Sequence, residues 1–349
     1  MRYTALGRSG VRVSRVCLGC MGLGNPTTGQ HCWTVGEDGS REVIRSALDS
    51  GINFFDTAIG YQDGTSEQYL GRALRDMVDR DEVVVATKFL PRSQGEIDSG
   101  IGGREHVLRS LDSSLAHLGM DHVDLLIYHM WGHRTPLSEI MEGLKEAMDS
   151  GKASHIGISN CFAWQLCHAN AMADAMDMER FVSVQNHYNL VFREEREMAP
   201  YCRWAGIAMT PYSPLAGGRL SRPHGEETRR FREDSYAHLK YDAAERQDRE
   251  IVERVRKVAE DHGVSMAQVS IAWLLTRVDS PVAGATSPTQ ASDTADAADL
   301  VLSDSEISWL EEPYTPHRLV GVMAQNTVES ADQEHVWSRK VRGRGRRST

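Results

Sequence analysis

Apolar runs that end on a polar residue recur along this chain, and amphipathic segments separate them. Counting from "VCLG" (16–19), eight runs read as strands: "INFFDT" (52–57), "EVVVATK" (82–88), "VDLLIYH" (123–129), "ASHIGIS" (153–159), "FVSVQNHY" (181–188), "IAMTPYS" (207–213) and "PVAGAT" (281–286) complete the set. Helical periodicity fills 66–78, 104–119, 137–152, 163–175 and 194–206, then 248–262 and 266–278, with last helices near 289–297 and 304–312. Several strands are continuous apolar runs, as a sheet covered on both faces requires. Eight strand–helix units in 349 residues predict a (β/α)8 barrel with an N-terminal β-hairpin around "GRSG" and two extra helices. A doubly wound open sheet normally shows a Gly-rich turn after its first strand, and "LGCMGLGN" lacks the GxGxxG spacing.

The stretch from about 216 to 246 is charged and has no period, so a long loop is expected there. The barrel should occupy 1–323, and 324–349, ending "SRKVRGRGRRST", should be a disordered basic tail. Net charge is −10, which argues against nucleic acid as a partner. No run approaches the roughly 20 apolar residues that span a bilayer, and "MRYTALGRSGVRVS" has no apolar core of a signal peptide. A cytoplasmic location is the default, and an oligomer is compatible with the sequence. Six cysteines are too few for a disulfide framework, and the CxxC "CLGC" has no second ligand pair spaced for zinc.

Barrel chemistry collects where strands end at their C-terminal side. Asp56 ends the second barrel strand, with Tyr61 just beyond; Lys88 ends the third, His129 the fourth, and Ser159 and Asn160 the fifth. A lone polar residue at a strand end is usually a solvated rim group. Adjacent strands, however, would bring an acid, a phenol, an ammonium and an imidazole to one rim. A free phenol, with a pKa of about 10, is a poor proton donor or acceptor near neutrality. An ammonium held by Asp56 should lower that value, and His129 could donate to a substrate oxygen. Without an activated serine or cysteine, and without an HxH pair, acyl transfer and metal hydrolysis fit poorly. Carbonyl reduction fits, and it needs a nicotinamide hydride source.

The segments "GINFFDTAIGYQDGTSEQYLGRAL", "VVVATKF", "DLLIYHMW", "GKASHIGISN", "VQNHYNL", "PYSPLAGG" and "PVAGATSPTQ", in that order, resemble the aldo-keto reductase superfamily from about Tyr3 to His317. The resemblance implies a barrel that binds NADP(H) without a Rossmann fold. It implies a catalytic set of Asp56, Tyr61, Lys88 and His129, with Tyr61 as general acid. It also implies carboxamide contacts from Ser159, Asn160 and Gln185, ring stacking by Tyr212, and a pyrophosphate loop at Ser213, Leu215 and Gly217. The adenosine end would meet Gly284, Ala285, Ser287, Gln290 and Asp293. Many members carry Lys and Arg on the 2′-phosphate where this chain has Gly284 and Gln290, and Asn where it has Thr294. The charged loop offers Arg219, Arg222, Arg229 and Arg230 instead, so NADPH is still expected. Trp33, Ile59, Gly60 and Trp131 are candidate walls for an aromatic or apolar carbonyl substrate. Potassium-channel β-subunits share this fold and catalytic set, so a regulatory role is the alternative. A lyase with Lys88 as a Schiff base leaves Tyr61 unexplained.

Overall fold

The computed structural model describes residues 1–226 and 228–327. Strands β1 (Tyr3–Ala5) and β2 (Arg12–Ser14) form the antiparallel hairpin, with Tyr3 opposite Ser14. Eight parallel strands follow: β3 (Cys17–Gly19), β4 (Phe54–Asp56), β5 (Val84–Phe89), β6 (Val123–Tyr128), β7 (Ala153–Ser159), β8 (Ser183–Gln185), β9 (Ala208–Met209) and β10 (Val282–Gly284). Their order is β10-β3-β4-β5-β6-β7-β8-β9. A parallel bridge from Tyr212 to Val282 joins the two outer strands, and Val282 N donates to Pro211 O at 2.9 Å. The sheet thus closes on itself as a (β/α)8 barrel.

Two apolar layers hold it. Inside, Cys17, Phe54, Val84, Leu125, Val182, Ala208 and Val282 pack with Leu6 and Val13 of the hairpin, which plugs the N-terminal end. The plug sits close: a Cβ at Gly7 would lie 2.4 Å from Val182 O, and φ is +58° there, so glycine alone suits the turn. Outside, strand residues such as Phe55, Val85 and Leu126 meet helix residues such as Leu70, Leu111 and Leu144. Helix Glu37–Asp49, not anticipated from the sequence, buries Val43, Ile44 and Ala47 on one face.

Several elements are shorter than their sequence patterns suggest. The runs 181–188 and 207–213 pair only over Ser183–Gln185 and Ala208–Met209, and Pro211 has no N–H to extend the second. The helix expected from 194 begins at Met198, which places Pro200 in its first turn, where proline is tolerated. The stretch 216–246 is not one long loop. Short helices cover Arg229–Glu233 and Ser235–Tyr241, capped by the Thr228 and Asp234 side chains. A tight turn at Gly321–Gln325 is followed by buried Asn326, which donates to Asn160 O (3.2 Å) and Gln165 Oε1 (2.8 Å). The boundary expected at 324 therefore falls within a packed segment, and the rest of the basic tail lies outside the described residues.

Candidate active site

Asp56 ends β4 and Lys88 lies near the end of β5, its immediate neighbour. Both are buried, with side-chain exposure of 2% and 0%. Lys88 Nζ donates to Asp56 Oδ1 at 2.5 Å, to Thr57 O at 2.7 Å and to Tyr61 OH at 3.3 Å. The ammonium thus spends its three donors on a carboxylate, a carbonyl and a phenol. The imidazole of His129, just past β6, stands edge-on to the Tyr61 ring with centroids 5.9 Å apart. Four side chains from three neighbouring strands do meet at one rim.

Electrostatics decide their protonation. Burial pushes the Tyr61 phenol up; Lys88 pulls it back and Asp56 adds to the rise, leaving it above the ordinary phenol value. The expected net lowering by Lys88 does not result, because desolvation outweighs the ammonium. Burial alone would depress Lys88, but Asp56 and Tyr61 more than reverse it, so it stays an ammonium. Burial, reinforced by Lys88, holds His129 well below the ordinary imidazole value, so it is neutral at physiological pH. The arrangement is a protonated phenol beside a fixed cation and a neutral imidazole.

Tyr61 begins a tight turn, Tyr61–Gly64, in which Gln62 and Asp63 adopt left-handed backbone with φ of 50° and 52°. Such conformations cost a non-glycine residue on the order of 1–3 kcal/mol, and surrounding contacts must impose them. Gln62 supplies these contacts. Its Nε2 lies 2.8 Å from Asn25 O and 2.9 Å from His31 O, while Oε1 accepts from Gln30 N (3.1 Å) and His31 N (2.9 Å). One buried amide therefore ties the loop after β3 to the turn that presents Tyr61. Sequence reading passed it over, because a glutamine in a polar turn looks solvated.

A cleft of about 470 Å³ runs from this rim along the barrel mouth. Asp56, Tyr61, His129, Asn160, Gln185 and Tyr212 line it, as do Ser213, Leu215, Gly217, Gly284, Gln290, Asp293 and Trp33. Gln185 Nε2 donates to Asp56 Oδ2 (2.9 Å), Ser159 Oγ to Gln185 O (2.6 Å), and Tyr212 OH to Asn160 Oδ1 (2.8 Å). Ser213, Ala216, Gly217 and Gly218 all have positive φ, a tight loop that keeps the backbone at the cleft wall. Ser287 caps helix Pro288–Asp296, Gln290 Oε1 accepts from Thr286 N, and Asp293 accepts from Ser265 Oγ. Ala285 is buried in the core behind.

Some expected residues lie elsewhere. Arg219 turns to Asp242 at 2.5 Å and packs over Phe231 and Tyr241, while Arg222, Arg229 and Arg230 line the cleft. Trp131 packs beside Trp164, and Ile59 and Gly60 are not among the lining residues. Lys240, which the sequence reading did not single out, does line it.

Residues 15–314 match the model of the aldo/keto reductase family. The chain belongs to that family. It is similar to the versiconal hemiacetal acetate reductase of Aspergillus parasiticus, 37% identical over 90% of this chain and 98% of the relative. It is also similar to an aldo-keto reductase of Alternaria alternata, AMT2, 36% identical over 89% of this chain and 91% of that one. The family consists of nicotinamide-dependent oxidoreductases acting on small carbonyl compounds, and this aldo/keto reductase is an enzyme of that kind. No helix among its described residues is long and apolar enough to cross a membrane.

Proposed function

We propose that this aldo/keto reductase uses NADPH to reduce an aldehyde or ketone to the alcohol, with Tyr61 as the proton donor. The observation that carries the reading is Tyr61 OH, 3.3 Å from a buried ammonium and lining the same cleft as His129 and the 213–218 loop. The cleft's chemistry fits a polyanionic dinucleotide. It collects Arg222, Arg229, Arg230 and Lys240 in a chain whose net charge is −10, and its acids Asp56, Asp234 and Asp293 are already engaged with Lys88, Arg230 and Ser265. The bound nicotinamide supplies the hydride.

The chain's own residues do the rest. Lys88 and His129 set the polarity around the phenol; His129, neutral, can donate a hydrogen bond to the substrate oxygen, and Tyr61 then delivers its proton there. Ser159, Asn160 and Gln185 would hold the carboxamide, Tyr212 the nicotinamide ring, and Ser213, Leu215 and Gly217 the diphosphate. Gly284, Gln290 and Asp293 would receive the adenosine end, with Ser287 capping the helix that carries the last two and Ala285 packed behind them. Arg230, whose Nη1 lies 4.0 Å from the Cβ position at Gly284, takes the 2′-phosphate role in place of Arg219. Trp33, buried and lining the cleft, packs under the Arg230 guanidinium at 4.1 Å from its ring, so its side chain stands beside the proposed 2′-phosphate contact rather than at the carbonyl.

Purified protein should consume NADPH with aldehydes or ketones and release the alcohol. Tight dinucleotide binding with no turnover across aromatic and aliphatic carbonyls would instead favour a regulatory role like that of potassium-channel β-subunits.

A further inference from the structure

Lys240, on helix Ser235–Tyr241, is the most deeply buried of the four cations that line the cleft. It is 5% exposed, and its Nζ lies 3.2 Å from Ser213 Oγ. The rings of Tyr212, Tyr241 and Tyr236 surround it, their centroids 5.0, 5.1 and 5.4 Å from the nitrogen. No ion pair joins it to a carboxylate among the described residues. Burying an ammonium without a counter-ion is costly, and ring faces with one hydroxyl offset only part of that. A lysine stem usually carries its charge out to water, but this one ends inside a cleft. The hydroxyl it holds belongs to the first residue of the left-handed 213–218 loop, and Arg222 and Arg230 line the same space.

We propose that Lys240 is a phosphate-receiving residue, whose ammonium passes from Ser213 Oγ and the tyrosine faces to a phosphate of the bound dinucleotide. This rests on reading the cleft as a dinucleotide site. The missing counter-ion is then supplied by the ligand itself.

The surroundings make this contact depend on pH. Burial brings Lys240 down to about 7, with Arg230 and Arg219 lowering it and Asp234 raising it. The other titratable groups facing it are Tyr212, Tyr236 and Tyr241, together with His187, which burial and Lys240 keep well below the ordinary imidazole value. The packed turn Gly321–Gln325 carries no charged side chain. Near neutrality Lys240 is therefore partly unprotonated, and a phosphate beside it raises its pKa. Below pH about 7 the proton is already present and affinity is greatest. Above it, binding takes up a proton, and affinity falls by at most about tenfold per pH unit.

The test is calorimetric binding of NADPH and of NADH, in buffers of different ionisation enthalpy, from about pH 6 to about pH 9. Wild type should take up a fraction of a proton with NADPH, and with NADH as well when the diphosphate is the partner; the Lys240 variants separate this uptake from protonation of the 2′-phosphate itself. Lys240→Met should lose this uptake and, near pH 6, roughly 10–100-fold in affinity. Lys240→Arg should keep the affinity and lose the uptake, because a guanidinium stays charged. Equal loss for both ligands in the Met variant identifies the diphosphate as the partner, and loss confined to NADPH identifies the 2′-phosphate. Wild-type affinity and uptake in the Met variant, or undiminished uptake in the Arg variant, would overturn the proposal. A wild type that binds neither dinucleotide would sink the reading of the cleft, and this assignment with it.

Discussion

Gln185 donates from Nε2 to Asp56 Oδ2 at 2.9 Å, while Lys88 occupies the other carboxylate oxygen. Asp56 is therefore saturated from two sides, by a cation on β5 and by an amide from β8 across the barrel. The residue expected on the cofactor's carboxamide also buttresses the acid behind the phenol.

Gln185→Glu sets a second carboxylate against Asp56, and two such groups share a proton rather than both ionise. The variant should lose turnover and melting temperature at pH about 8 and recover part of both near pH 5, where a protonated Glu can donate as the amide did. Melting curves at the two pH values check this. Losses that do not depend on pH would mean that the hydrogen bond matters little.

Tyr61→Phe removes the proposed donor and little volume. Turnover should fall by roughly 10²–10⁴ with dinucleotide affinity nearly intact. In the wild type the raised phenol and the depressed His129 leave both groups neutral across the middle of the pH range. The kcat for reduction should then be flat from about pH 6 to about pH 9 and fall only where the phenol ionises. A limb near pH about 6.5, the ordinary imidazole value, would show that His129 titrates and is not held neutral.

Lys88→Met strands a buried carboxylate. Breaking such a pair costs about 3–5 kcal/mol, and the alkaline limb of kcat should move to higher pH once the ammonium no longer favours phenolate. Lys88 is raised above its unfolded value, so its stabilisation is complete below pH about 10.4 and is lost only as pH climbs through the folded value. The stability deficit of the variant should accordingly be constant between about pH 6 and about pH 9. Chemical denaturation at several pH values measures it.

Gln62→Ala frees the 25–31 loop from the Tyr61 turn. Several half-buried main-chain groups of that loop lose their side-chain partner, and water can reach some of them in its place. Amide exchange in 25–34 should quicken, and KM for the carbonyl should rise more than kcat falls. Unaltered exchange there would assign Gln62 a purely local role.

Arg230→Ala should erode the preference for NADPH over NADH by roughly tenfold or more, the value of a charge-assisted contact. Arg219→Ala should leave the preference alone, because that guanidinium turns to Asp242 and does not line the cleft. The ratio of kcat/KM for the two dinucleotides decides. A collapse in the Arg219 variant would reverse the assignment.

The strand ends were legible in the sequence because a polar residue closing an apolar run is an unusual signal, and Asp56, Lys88 and His129 each close one. Helix Ser235–Tyr241 was not. Its buried positions are Ala237, Lys240 and Tyr241, a helical spacing disguised by a lysine counted as solvated. Four arginines in the same stretch look alike on paper. Both Arg219 and Arg230 pair with an aspartate, and only the folded chain separates them, by bringing Arg230 and not Arg219 to the cleft wall. Gln62 was hidden for the opposite reason, since its partners are main-chain atoms that no sequence pattern marks.

The barrel closes through the Tyr212–Val282 bridge and the hydrogen bonds from Asp279 and Ser280 N to Met209 O, beside a strand of two residues. The cleft lies over that joint, with Tyr212 and Ser213 on one lip and Val282, Gly284 and Thr286 on the other. Whatever fills the cleft lies across the joint where the sheet closes and acts as a splint. Filling the site and bracing the barrel are then one event, and a bound ligand should stabilise the fold at the place where it closes.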